Sequence, residues 1–516
     1  MRVILSVLLS AAGALSLSAA QNFDLVVYGG TAGGVITAVS AAREGASVAL
    51  LEPGRHVGGM VTGGLSRTDH GRKETVGGYS LEFYKRLGKK YGTEIEWYPE
   101  PHVAEQVLLE MMKEAGVKVF YGRRLREKTG VRKKGRQVVE IVMENGAAFQ
   151  AKVFADCTYE GDLMAQAGVS YTWGREGSSQ YGESLAGVRP KDRGHQFDFP
   201  ISAYDAKGRL LPEIGTQPRG ELGAADKKVQ AYNYRLIMSK EPSNRRAIEK
   251  PAGYDPWRYE LLVRWLQGFE KHNGRAPRIN EVLLIGTCQG NKADFNNRGA
   301  VSTDYIGKSW DYPEASYKRR AEIWREHADY TKGLLYFYVT DPRIPKSLQD
   351  DIRQWGYAKD EFTDNDNWPY QLYVREARRM TGGFVMTQKD IQTELTKPDA
   401  IGMGSYNSDS HNVQRFVQAD RTVQNEGNME VSVTPYQIPY RILLPKRTEA
   451  ENLLVAVCFS ASHVTYSTLR MEPVYMIIGH AAGVAAKMAI DKKVAVQEID
   501  TKALTARLRA QGAAME

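Results

Sequence analysis

The chain has 516 residues, of which 42% are hydrophobic, 10% aromatic and 25% charged, with a formal net charge of +8. That composition excludes a disordered, collagen-like or disulfide-scaffold chain, and its length predicts two or three domains. The charge bias is mild, and the densest basic run, Arg123 to Arg136, is broken by turn residues, so it reads as a solvated hairpin and no nucleic-acid partner is expected.

Residues 1–20 read as a secretory leader: Arg2, an apolar core from Val3 to Leu9, and Ser18-Ala19-Ala20 before Gln21. The apolar part is short for a span, so cleavage after Ala20 and a periplasmic or secreted mature chain are expected. No later segment reads as a membrane span. Cys157, Cys288 and Cys458 allow at most one disulfide and form no Cys-x-x-Cys pair, so no dithiol centre or zinc ribbon is expected and no metal is assigned.

Phe23 to Tyr28 is an apolar strand, Gly29-Gly30-Thr31-Ala32-Gly33-Gly34 a tight turn, Val35 to Glu44 a helix, and Ala46 to Glu52 a second strand. Such a βαβ unit brings backbone close to a pyrophosphate at a helix N-terminus. Glu52, nineteen residues beyond Gly33, stands where an acid accepts from a ribose diol, while Tyr28 replaces the usual first glycine of G-x-G-x-x-G. Two more segments can reach the same ligand. One is Arg55-His56-Val57-Gly58-Gly59-Met60-Val61-Thr62-Gly63-Gly64, and the other is the strand, turn and helix from Lys152 through Asp156, Gly161 and Asp162. Between them a helix is expected at Val103–Ala115, with strands at Val117–Tyr121, Val138–Met143 and Ala147–Gln150.

These three blocks, together with Asn291–Asn297, Leu372–Met380, Ser408–Asn412 and the run from Ser462-His463-Val464 to Arg470-Met471-Glu472-Pro473, resemble a bacterial FAD-dependent oxidoreductase family with a Tyr-Gly-Gly-Thr opening. The resemblance covers essentially the whole mature chain. It implies an α/β fold: a Rossmann-type FAD-binding domain of the two-dinucleotide-binding-domain flavoprotein kind, with an inserted α+β substrate domain. FAD would be held by Gly29, Gly30, Thr31, Ala32, Gly33, Glu52, Arg55, His56, Gly59, Met60, Thr62, Gly64, Asp156, Gly161, Asp162, Met471 and Gly479. His56 also stands where some related flavoproteins bond the ring's 8α-methyl, which leaves a covalent link open.

Chain order predicts a discontinuous arrangement, with a first cofactor part at 22–165, a substrate or cap part at 166–439 and a second cofactor part at 440–516. Helices are expected at Pro256–Lys271, Ser316–Gly333 and Tyr370–Met380. Strand character is expected at Tyr440–Leu443 and Asn452–Val457, before a small-residue helix from Pro473. In flavoproteins of this layout that helix points its N-terminus at the flavin's pyrimidine end.

The catalytic candidates are His411, which Asp409 could orient, His463, before the last long helix, and Arg375, at i, i+4 from Arg379. For each, a purely structural role is the competing reading. Asp294, Asn296 and Asn297 suit either hydroxyl recognition or a turn. The expected reaction is hydride transfer between flavin N5 and a small polar substrate such as a sugar, polyol or hydroxylated metabolite, with an electron acceptor the sequence does not name. A redox-neutral flavoprotein, including a lyase or isomerase, is the alternative.

Overall fold

The computed structural model describes residues 20–516, so all of the predicted leader except Ala20 lies outside the described residues. Strands β1 (Gln21–Tyr28), β2 (Val48–Leu51) and β3 (Lys118–Phe120) run parallel as neighbours, and β6 (Ala148–Asp156) runs parallel on the other side of β1. The hairpin β4 (Val131–Lys134) and β5 (Gln137–Val142) adds antiparallel to the start of β6. Its outer face carries the basic run, with Arg132 paired to Glu140 and Arg136 to Glu451 at the surface. Strand β7 (Leu453–Val455), from near the other end of the chain, pairs parallel with the end of β6, Leu453 opposite Phe154. Leu25, Val26 and Val27 are all buried, as a strand covered on both faces requires.

Helix α1 (Ala32–Arg43) begins three residues before its predicted start, because Thr31 caps it: Thr31 Oγ1 accepts from Gly34 N–H at 3.1 Å. The other helices of this half are α2 (Met60–Gly63), α3 (Gly78–Tyr91), α4 (Pro101–Ala115) and α5 (Asp162–Gln166). Helix α6 (Tyr317–Thr340) continues past its predicted end at Gly333, since Leu334, Leu335, Phe337 and Tyr338 prolong its buried face. The short α7 (His463–Leu469) precedes α8 (Glu472–Lys492), which lies along α1. A Cβ added at Gly479 would stand 2.2 Å from Gly33 O, and one at Gly483 would stand 2.4 Å from Thr37 O, so only glycine permits this approach.

Three expectations are corrected. Helix α8 is by length and composition apolar enough to cross a membrane, but 83% of its most apolar window is buried inside the protein, as in a core helix. Residues 370–380 are extended, not helical, and Arg379–Met380 pair with Tyr171–Thr172. Tyr440–Leu443 is a 3₁₀ turn after the strand Tyr436–Pro439, fixed by Tyr440 N–H donating to Asp399 O at 2.8 Å.

The middle of the chain builds a five-stranded antiparallel sheet in the order Leu283–Cys288, Lys292–Asn297, Leu236–Ser239, Gly356–Ala358, Arg245–Arg246. The Asp294–Asn297 segment is therefore strand, not turn. All three cysteines are free thiols.

Candidate functional site

A cavity of about 580 Å³ opens where β1, β2 and β6 end. Gly29, with φ +100°, turns the chain out of β1, and a Cβ there would meet Cys157 C and Thr158 N at 2.8 Å. The positive φ falls on Gly29, so the preceding position tolerates Tyr28, whose hydroxyl accepts from Leu125 N–H at 3.0 Å. Thr31 Oγ1 donates to Cys157 O at 2.8 Å and ties the turn to the end of β6. The N–H groups of Ala32 and Gly33 open α1 beside this wall, where a helix start leaves them without an intrahelical partner.

Glu52 lines the cavity and accepts from Gly30 N–H at 2.8 Å and Gly54 N–H at 2.5 Å. Burial lifts its carboxyl to about 7 against those two bonds. Arg55, His56, Gly59, Thr62 and Asp162 also face the space. Burial alone would raise the Asp162 carboxyl, but Arg320 and Arg378, each at 2.7 Å, hold it below the usual range. His56 stacks on Tyr370 with centroids 3.6 Å apart, while Nδ1 lies 3.1 Å from Glu105 and Nε2 3.1 Å from Asp364. Both ring nitrogens are engaged, so a bond to a cofactor methyl would require the ring to give up one carboxylate.

The other expected cofactor residues support the wall. Asp156 is wholly buried and accepts from Thr158 N–H, Thr158 Oγ1 and Met164 N–H at 2.7–3.0 Å, which fixes the turn through Gly161, the N-cap of α5. Burial raises Asp156 to about 6. Met60 N–H donates to Tyr159 OH at 2.9 Å. Gly64 abuts Arg235 O, Met471 caps α8, and Gly479 is a helix-packing glycine and not a cavity residue.

Downstream of the Gly58–Gly64 segment, a second cavity of about 300 Å³ is lined by Arg67, Asp69, Arg235, Asp294 and Asn296. Arg235 grips Asp294 through two bonds of 2.9 and 2.8 Å. Tyr406 donates to Asp409 Oδ2 at 3.1 Å, and Asp69, which reaches solvent although protein surrounds most of it, lies near that pair. Burial, then the Asp409 charge, raises Asp69 to about 6.

Asp409 leads to His411. His411 Nδ1 lies 2.7 Å from Asp304 Oδ2 and Nε2 lies 3.8 Å from Asp409 Oδ1. Burial and then Arg375 depress the imidazole to about 4, so it is neutral at neutral pH. Arg375 is fully buried, 3.0 Å from Asp304 and 3.1 Å from Asn233 Oδ1, and bonds Ala231 O. It braces the Asp304–His411 pair from behind. His463 lies in a closed network: Nδ1 is 2.8 Å from Glu376, which pairs with Arg379, which in turn pairs with Glu176. It lines neither cavity.

Asp69, Asp304 and His195 had no motif in the sequence. Only the fold brings Asp304 to His411 and stacks His195 on it at 6.3 Å. A further cluster, Glu100, His102 and Glu361, has metal-like ligand spacing, but Lys292 Nζ stands 2.7 Å from Glu100, Asp360 and Glu361 and supplies the cation.

A family model described as FAD dependent oxidoreductase matches residues 24–508. The chain belongs to the FAD-dependent oxidoreductase family. FAD is its cofactor, and the first cavity fits it: a glycine cradle with no room for a Cβ, a helix start for the pyrophosphate, and Glu52 for a ribose. Among solved structures the chain is similar to L-proline dehydrogenase from P. horikoshii, with 14% identity over 31% of this chain and 59% of that one and a TM-score of 0.25. It is also similar to the OxyS anhydrotetracycline hydroxylase from Streptomyces rimosus, with 15% identity over 34% and 36% and a TM-score of 0.24. The likeness to the myxobacterial chondrochloren halogenase CndH has 18% identity over 30% and 41% and a TM-score of 0.23. Each likeness spans less than two thirds of the matched structure. No curated protein matches the chain.

Proposed function

We propose that this family member is an exported oxidoreductase that exchanges hydride with a small, neutral, hydroxyl-bearing substrate such as a sugar or polyol, with His411 handling the hydroxyl proton. The observation that carries the reading is the Asp304–His411 pair, which lines neither cavity itself and is joined to the second through Arg375, Asn233 and Asn296. Asp304 accepts from Nδ1–H and so fixes the tautomer that leaves Nε2 free as a proton acceptor. Bound FAD supplies the two-electron chemistry. The local charge count suits a neutral substrate: the four guanidinium groups of Arg67, Arg235, Arg375 and Arg470 stand with the four carboxyl groups of Asp69, Asp294, Asp304 and Asp409.

The test is anaerobic bleaching of the flavin by a panel of aldoses, polyols and hydroxy acids. A neutral member should bleach the wild type, and His411→Gln should slow that step by on the order of 10²–10⁴-fold with FAD content unchanged. Turnover of a panel member without bleaching would instead establish the redox-neutral reading. Export predicts a periplasmic or secreted chain beginning at Gln21, which N-terminal sequencing of the fractionated protein reads directly.

A further inference from the structure

Glu472, the first residue of α8, is 1% exposed, and no cation reaches it among the described residues. Buried glutamates without a cationic partner are rare, because desolvation strongly penalises a carboxylate in apolar surroundings. Its Oε1 accepts from Tyr159 OH at 2.7 Å, while Oε2 has no hydrogen-bond partner. The same Tyr159 hydroxyl accepts from Met60 N–H at 2.9 Å, and the Tyr159 side chain lines the FAD cavity beside Gly59 and Thr62. The titratable groups facing Glu472 are all phenols: Tyr159 from the turn after β6, Tyr84 from α3 and Tyr475 from α8 itself.

We propose that Glu472 is a positioning acid for the cofactor site, acting through Tyr159 to exchange one proton with solvent as bound FAD gains or loses two electrons. The residue holds a proton near neutrality, since burial raises its carboxyl to about 8 and only the Tyr159 bond works against that. Below that pH it is already neutral when the cofactor is reduced and takes up nothing. Above it the carboxylate meets added negative charge in the adjoining cavity and binds a proton. Tyr159 passes its hydroxyl proton to Oε1 and recovers one from water in the cavity, so one proton enters, no heavy-atom bond changes, and the two electrons come from the reductant. This inference rests on FAD in the first cavity and is independent of the His411 reading.

The experiment is a spectroelectrochemical titration of the holoenzyme with dithionite as reductant, repeated from about pH 6 to about pH 10. In the wild type the dependence of flavin potential on pH should steepen near pH 8 by up to one extra proton per two electrons. Glu472→Gln should abolish that steepening while retaining FAD. Tyr159→Phe keeps the ring in the cavity wall and removes the hydroxyl. It should shift or blunt the steepening, and it provides the second arm if the glutamine variant does not fold. Identical pH dependences in wild type and either folded variant would overturn the proposal.

Discussion

Tyr28 and Gly29 show how much one backbone angle decides. The sequence departs from the usual glycine pattern at Tyr28, which weakens a motif search, yet the turn needs its positive φ one residue later, at Gly29. Alanine at Gly29 would have to hold φ near +100° with its methyl 2.8 Å from the Cys157–Thr158 backbone, which cannot swing away as the Thr158 methyl beside it could. Gly29→Ala should therefore lower FAD affinity at least about tenfold, roughly 1.4 kcal/mol, read as flavin retained after gel filtration. Wild-type retention would show that the turn can relax. The glycines and Glu52 were legible in the sequence because they fall at fixed spacing within one short strand–turn–helix–strand run. Asp304 and Asp69 were not, because their roles come from Arg375, His411 and Asp409, which lie far away in sequence.

The extended run at 370–380 shows where pattern reading failed among elements. Arg375 and Arg379 stand at helical spacing, and charges at that spacing often mark an ion-paired helix. Here each guanidinium serves a different neighbour. Arg375 meets Asp304, Arg378 meets Asp162 and Glu314, and Arg379 meets Glu176 and Ala461 O. An extended chain presents successive side chains to opposite sides and can reach all of these, whereas a helix would gather two of them on one face. Helix α8 was legible for the opposite reason, since its small residues and Pro473 are local signals. Its glycines point to a sharp dependence on size. Gly479→Val should push α8 away from α1, destabilise the fold by at least about 1–3 kcal/mol, and lower the urea midpoint with loss of flavin. An unchanged midpoint would mean that the two helices do not need this approach.

At the scale of the whole molecule the cofactor sheet is closed by both ends of the chain. Residues after 439 supply β7, which covers the end of β6 beside Asp156, and α8, which packs along α1 and also reaches β1 and β6. Without them the Gly33, Thr37, Ser40 and Ala41 face of α1 and the C-terminal edge of β6 would lose their cover, and each large buried side chain exposed costs roughly 1.5–3 kcal/mol. Several such losses exceed the net stability of an ordinary domain, about 5–15 kcal/mol. A chain ending at Pro439 keeps the whole glycine turn and Glu52, so on the motif alone it would still bind FAD. On the structure it should be insoluble or unfolded by circular dichroism and retain no flavin. Soluble, flavin-loaded protein from that truncation would show that the first 439 residues carry the cofactor fold unaided, and that β7 and α8 are additions to it and not part of its core.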